Sequence, residues 1–213
     1  MHIFFLSVTD NLEPELRERL ANEIKKRGNT VAYISSQPQD NERVYFRSTL
    51  LDYTQISSDI HMEYFDLSSN FSDEALAKLL DFGTIYLSGG NTFAFMNDSR
   101  QRNLIPILKK HLTNGGLLVG ASAGSIMMTP TIELAKFGDE NTVGLRDLSG
   151  FGFVNFEFQP HYEEDQKGEY LISHMQGKTT TLYTCKDHSG LFYSDGEITV
   201  FGDTQKYVHT PST

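Results

Sequence analysis

Short apolar runs alternate with segments of helical apolar spacing through the first 125 or so residues of the chain. Ile3-Phe4-Phe5-Leu6-Ser7-Val8 reads as a buried strand. Pro14 to Arg27 follows as a helix with Leu16, Leu20, Ala21 and Ile24 at helical spacing, closed by Gly28. Thr30 to Ile34 is a second strand, followed by a helix reaching about Tyr53 and marked by Val44, Phe46, Leu50 and Leu51. Met62 to Leu67 is a weaker third strand, after which Ser72 or Asp73 caps a helix carrying Leu76, Leu79 and Leu80. Thr84 to Leu87 is a fourth strand, ending in Ser88-Gly89-Gly90-Asn91-Thr92. A helix over Leu104 to His111 then leads to the apolar run Leu117 to Val119. This alternation predicts an α/β fold, a mostly parallel central sheet with helices on both faces.

The alternation fades after residue 130. Ile132 to Gly152 is polar and contains glycine, which predicts a loop or short-strand excursion over the rim of a site. Phe153 to Phe158 alternates like an edge strand, and Asp165 to Met175 suits a helix. Thr179 to Cys185, Gly190 to Tyr193 and Glu197 to Phe201, with a turn at Ser194-Asp195-Gly196, predict a C-terminal antiparallel extension. With no internal repeat or low-complexity linker, the expectation is one domain over residues 1–213.

Composition narrows the class of function. The net charge of −10 comes without a Lys/Arg cluster, which argues against nucleic acid as a partner. The single cysteine, Cys185, excludes an internal disulfide and a Cys-rich metal site, and its apolar surroundings predict a buried, inert thiol. His2 to Val8 lacks a basic n-region and is too short for a signal peptide or a membrane span. A soluble cytoplasmic protein with no membrane partner is expected, and no pattern in the chain speaks to its oligomeric state.

The candidate chemistry centres on Gly120-Ala121-Ser122-Ala123-Gly124, a G-x-S-x-G pattern between the strand ending at Val119 and a helix-compatible segment. Small flanks allow a tight strand-to-helix turn that strains the serine and exposes its Oγ. A helix beginning at Ala123 would aim its N–H groups and positive dipole end at an oxyanion beside Ser122. Such a serine needs a base, usually a histidine oriented by a carboxylate. Among seven histidines, His2 and His209 lie near the termini, His61 starts a strand far from the switch region, and His111 and His174 fall on expected polar helix faces. His161 stands out in Phe158-Gln159-Pro160-His161-Tyr162, directly after a strand with proline fixing its approach. His188, beside Asp187, is a weaker candidate for a polar cluster.

Gly89-Gly90-Asn91-Thr92, Gly120 to Gly124 and Gln159-Pro160-His161-Tyr162, in this order and spacing, resemble the peptidase E and cyanophycinase family of serine peptidases, typified by α-aspartyl dipeptidases. The resemblance covers nearly the whole chain. It implies a fold related to the class I glutamine amidotransferases, a nucleophile at Ser122, a base at His161, an oxyanion hole from the N–H groups of Gly90 and Ala123, and no metal or cofactor. It offers two places for the orienting acid: Asp139 with Glu140 on a loop before the histidine, or Asp187 after it. The family often has Glu at the later position, so aspartate there shortens the reach. Rigidity at a strand end favours Asp187, with Asp139 and Glu140 as alternates. The substrate implied is a short peptide, by family default one with N-terminal aspartate. Arg100, Arg102, Lys136 and Arg146 are the cations considered for that side chain. An esterase using the same residues and a non-enzymatic binding protein on the same fold are the alternatives.

Overall fold

A computed structural model describes residues 1–37, 42–69 and 72–208. Ten strands and seven α-helices can be labelled among them in chain order. Strands β1 (His2–Leu6), β2 (Thr30–Ser35), β3 (His61–Asp66), β4 (Thr84–Leu87) and β5 (Leu117–Ala121) run parallel in the order β3-β2-β4-β5-β1. Strands β8 (Gly190–Ser194) and β9 (Glu197–Phe201) extend this sheet past β1 as antiparallel neighbours.

Because successive side chains of a strand point to opposite faces, each strand divides its residues between two cores. Ile3 and Phe5, Ala32 and Ile34, Ile85 and Leu87, and Leu118 face one way. There they meet α3 (Asp73–Lys78), α4 (Thr92–Gln101), α5 (Leu104–Thr113) and the short α6 (Ala123–Met127). Phe4 and Leu6, Val31 and Tyr33, Tyr86, Leu117 and Val119 face the other way, onto α1 (Pro14–Lys25) and α2 (Val44–Ile56). The connections leaving β1 and β2 therefore pass over one face, and those leaving β4 and β5 over the other. Where chains diverge in this way a crevice opens beyond the carboxyl ends of the strands.

The C-terminal part departs from the expected single antiparallel group. β7 (Thr181–Cys185) belongs to a second sheet, between β6 (Phe156–Gln159), which it meets in parallel, and β10 (Thr204–Val208), which it meets antiparallel. Only β8 and β9 join the main sheet. The second sheet packs on the α4–α6 side through Phe156, Phe158, Tyr183 and Cys185, with Phe5 against Phe156 at 5.1 Å between ring centroids. Helix α7 (Glu164–Met175) follows β6. β10, with the sequence TQKYV, is too polar to announce itself as a strand. Helix α4 also escapes the periodicity reading because Phe93, Phe95 and Met96 crowd one turn and blur the helical spacing. Its start is fixed by Asn91, whose Oδ1 accepts from the Ala94 N–H at 3.0 Å. The polar stretch from Ile132 to Gly152 is mostly loop, with a 3-10 turn over Glu133–Phe137 and a Thr131–Ser149 bridge.

Two histidines expected on polar faces turn inward: His111 is buried, and the His174 side chain is 7 % exposed. Nε2 of His111 lies 3.0 Å from the Leu117 carbonyl, and burial holds this imidazole below its ordinary pKa. Nε2 of His174 lies 2.6 Å from Oε2 of Glu157 on β6. In each case a partner inside the fold satisfies the polar ring, which helical periodicity does not reveal. His209 lies outside the described residues. Burial pushes the Cys185 thiol up to about 12, in keeping with an inert side chain.

Around Glu157 the second sheet is tied to the loop and to α7. Lys178 Nζ sits 3.4 Å from Glu157, 2.9 Å from Glu133 and 2.9 Å from His174. The Glu157 side chain is only 3 % exposed, so it depends on these partners. Lys178→Met is expected to lower stability by about 1–3 kcal/mol, because it strips a buried carboxylate of a cation that is itself partly solvated. Urea unfolding of both proteins measures the difference.

Candidate active site

The strand β5 ends in a sharp bend at Ser122, whose φ of 51° and ψ of −115° lie where a residue with a side chain is strained. Neighbouring groups hold it there. The Ser122 N–H donates to the Leu6 carbonyl at 3.0 Å, and the Gly124 N–H to the Ser88 carbonyl at 3.1 Å. The N–H groups of Ser125 and Ile126 return to the Ser122 carbonyl at 2.9 and 3.1 Å. The fully buried Ser125 hydroxyl accepts from the Leu6 N–H at 3.0 Å and lies 2.8 Å from the Gly120 carbonyl. Both glycines of the motif are required by space. A Cβ at Gly120 would come within 2.7 Å of the Gly124 backbone, and one at Gly124 within 2.3 Å of the Leu87 carbonyl.

The helix after the bend begins at Ala123, as expected, but is short. α6 spans five residues, because the chain leaves it through Met128 and Thr129 toward Pro130, which has no N–H to give. A single turn carries little macrodipole, so any anion stabilisation at Ser122 must come from individual N–H groups.

His161 approaches from the second sheet. Pro160 ends β6, His161 takes a φ of 52°, and its N–H donates to the Ser7 hydroxyl at 2.8 Å. Its Nε2 lies 2.9 Å from Ser122 Oγ, and its Nδ1 lies 2.6 Å from Oδ1 of Asp187. Asp187 sits in the turn between β7 and β8, at the junction of the two sheets. Burial raises its carboxyl, but the Ser7 hydroxyl at 2.8 Å and the imidazoles of His161 and His188 outweigh this and hold it below the ordinary carboxylate value. His188 turns away, with Nδ1 3.0 Å from the Asp10 carbonyl.

Of the loop acids, Asp139 is engaged elsewhere through its carboxylate and Glu140 through its main chain. Oδ2 of Asp139 accepts from the Thr92 N–H at 2.8 Å, at the start of α4, and the Glu140 carbonyl accepts from Asn91 Nδ2 at 2.8 Å. They brace the turn that carries Gly90. Gly89 lies against Ser122, since a Cβ on it would be 3.4 Å from Ser122 Cβ. Its carbonyl accepts from Gln37 Nε2 at 3.0 Å and from the Ser88 hydroxyl at 2.9 Å. In a trans peptide the N–H points opposite to the preceding C=O, so these bonds aim the Gly90 N–H away from Gln37.

Ser7 and Gln37 were not singled out from the sequence. The available signal was positional: Ser7, Ser88 and Ser122 each end or follow an apolar strand. Gly89, Gly90, Ser122, His161, Ser7 and Gln37 line one cavity of about 990 Å³. None of the four cations considered for a substrate carboxylate lines it. Arg100 binds the carbonyls of Asp147 and Ser149, Arg102 those of Leu67 and Ser69, Lys136 lies 4.0 Å from Glu133, and Arg146 is exposed. Among the described residues no three His, Cys, Asp or Glu side chains are grouped to hold a metal ion, and no helix is long and apolar enough to cross a membrane.

The model of peptidase family S51 matches residues 5–201 of this chain. The chain belongs to peptidase family S51. It is similar to an uncharacterised peptidase of Pasteurella multocida, 32 % identical over 99 residues that cover 46 % of this chain and 48 % of that one. It is also similar to the peptidase E of Citrobacter koseri, 26 % identical over 144 residues covering 63 % and 62 %. The chain thus spans about half the length of the first relative and somewhat under two-thirds of the second. A crystal structure of a peptidase from an acI-B1 Actinobacterium superposes with a TM-score of 0.69 at 17 % identity, covering 97 % of this chain and 93 % of that one. At that identity it supports the S51 fold alone: the α/β layers with a C-terminal antiparallel extension.

The bend of this S51 chain is tightly packed, which makes it testable by one methyl group. Gly124→Ala is expected to destabilise the protein by about 1–3 kcal/mol, since the new Cβ meets backbone rather than a movable side chain. A lowered thermal midpoint with unchanged secondary structure by circular dichroism is the expected reading.

Proposed function

We propose that this protein is a serine peptidase of short peptides, acting through an acyl-enzyme on Ser122. The observation that carries the reading is the unbroken relay from Asp187 through His161 to Ser122. Ser122 Oγ attacks the scissile carbonyl while His161 Nε2 takes its proton. The N–H groups of Gly90 and Ala123 receive the oxyanion, with Gln37 holding the Gly89–Gly90 peptide in the orientation this requires. Collapse of the tetrahedral species breaks the C–N bond, and His161 returns the proton to the leaving amine. Water, deprotonated by the same imidazole, then releases the acyl group.

Asp187 fixes the tautomer with the proton on Nδ1 and stabilises the imidazolium. Its low pKa keeps it ionised at neutral pH. Ser7 anchors both the Asp187 carboxylate and the His161 backbone, so it serves as a positioning residue. A cavity of about 990 Å³ suits a short peptide better than a folded chain. The cytoplasm is the setting proposed, on the strength of the lone, buried and unpaired thiol.

Ser122→Ala and His161→Ala are each expected to lower turnover of the best dipeptide by about 10³- to 10⁶-fold, with non-additive effects in the double variant. Asp187→Asn is expected to lose about 10²- to 10⁴-fold and Asp139→Asn far less, read by steady-state kinetics on a dipeptide library. Wild-type rates in Ser122→Ala would end the reading, and matched ester and amide substrates separate a peptidase from an esterase. Gln37→Leu is expected to reduce kcat by about 10-fold or more with little change in KM, because it loosens an oxyanion donor rather than a substrate contact.

A further inference from the structure

The cavity beside Ser122 is lined by two carboxylates, Asp10 after β1 and Asp52 on α2, and among the described residues by no lysine or arginine. Oδ2 of Asp52 is buried and has no hydrogen-bond partner. Burial raises its carboxyl, and the nearby Asp10 charge pushes in the same direction. A carboxylate oxygen withdrawn from water without a partner is unfavourable, and a proton or a cation relieves it. Tyr33 and Tyr86 back this wall, almost fully buried and stacked on each other at 4.9 Å between ring centroids. Two carboxylates with no lysine or arginine beside them suit an ammonium or guanidinium group and repel a carboxylate.

Strand order says which part of a peptide reaches this wall. Ser122 ends β5; on its β1 side stand Ser7 and His161, and on its β4–β2 side stand Gly90, Gln37 and then α2. The leaving amine must lie near His161, which protonates it, so the acyl portion extends the other way, toward α2. We propose that Asp52, with the Asp10 charge nearby, receives a cationic group of the acyl portion, so that this enzyme favours acyl portions carrying a positive charge and disfavours N-terminal aspartate. The inference rests on the peptidase reading of the same cavity. The cation is either the free α-ammonium or a basic side chain.

The test uses the p-nitroanilides of lysine, N-acetyl-lysine, alanine, N-acetyl-alanine and aspartate. Wild-type kcat/KM is expected to be at least about 10-fold higher for lysine than for N-acetyl-alanine, with aspartate below alanine. Activity kept on N-acetyl-lysine assigns the cation to the side chain, and activity lost assigns it to the α-ammonium. Asp52→Asn is expected to lower the rate on lysine about 10- to 100-fold more than that on N-acetyl-alanine, Asp10→Asn a few-fold more, and Asp52→Glu is expected to retain most of the preference. Aspartate as the fastest substrate, or an even loss across all five in Asp52→Asn, overturns the inference while leaving the peptidase reading intact. If no anilide is cleaved, the inference is read from binding instead. Calorimetric titration of Lys-Ala into Ser122→Ala is expected to show binding that weakens at least about 10-fold when Asp52→Asn is added; equal affinity, or no binding to Ser122→Ala, overturns it.

Discussion

The geometry of this protein hangs on the backbone of one residue, Ser122, held at a positive φ at the end of the central strand. A conformation of that kind is unfavourable by about 1–3 kcal/mol and persists only where the surroundings over-determine it. Here they do so through main-chain bonds to both neighbouring strand ends, to Leu6 at the end of β1 and to Ser88 just after β4. The buried hydroxyl of Ser125 adds a link between Leu6 and Gly120. The bend is thus a property of three adjacent strands rather than of a five-residue motif, with Gly124 pressed against the end of β4 and Gly120 against the turn that follows the bend.

A second dependence links the two sheets. Ser122 belongs to the main sheet and His161 to the second, while Asp187 lies in the turn through which the chain passes from one to the other. Ser7, buried at the end of β1, bonds to both the His161 backbone and the Asp187 carboxylate. It stitches the sheets together at the point where the imidazole must stay aligned. Sub-ångström errors there matter, because a proton passes only between well-aligned partners. The ring packing of Phe5 on Phe156 and Phe158 sets the same spacing farther down the interface.

Much of this was legible in the chain. The parallel core announced itself because its strands are short apolar runs and its helices carry spaced apolar residues, and the serine bend because only small residues fit around it. His161 could be singled out because proline and a preceding strand give it a defined approach. The division of the last strands between two sheets could not be read, since β7, β8 and β9 look alike locally and only long-range pairing separates them. Periodicity places His111 and His174 on polar faces because it does not see a carbonyl or a carboxylate waiting inside the fold. Ser7 and Gln37 are ordinary residues in composition, and their importance lies in contacts across 154 and 52 positions of sequence respectively.

The proposed reaction chemistry and the proposed selectivity draw on different parts of the fold, and helix packing explains why. Tyr53, with Phe46, Leu50 and Ile56, anchors α2 on the core of the α1 side. The residues Val44, Tyr45, Ser48, Thr49 and Asp52, spaced to share a face of the same helix, line the cavity instead. The helix is therefore held by one face and free to vary its chemistry on the other. Ser122, His161 and Asp187 are positioned by β5, β6 and the β7–β8 turn, none of which contributes to that wall except at the bend itself. Membership of the family is carried by the segments that hold the motifs, while the charge lining the cavity is set in part by a helix face that the motifs do not include.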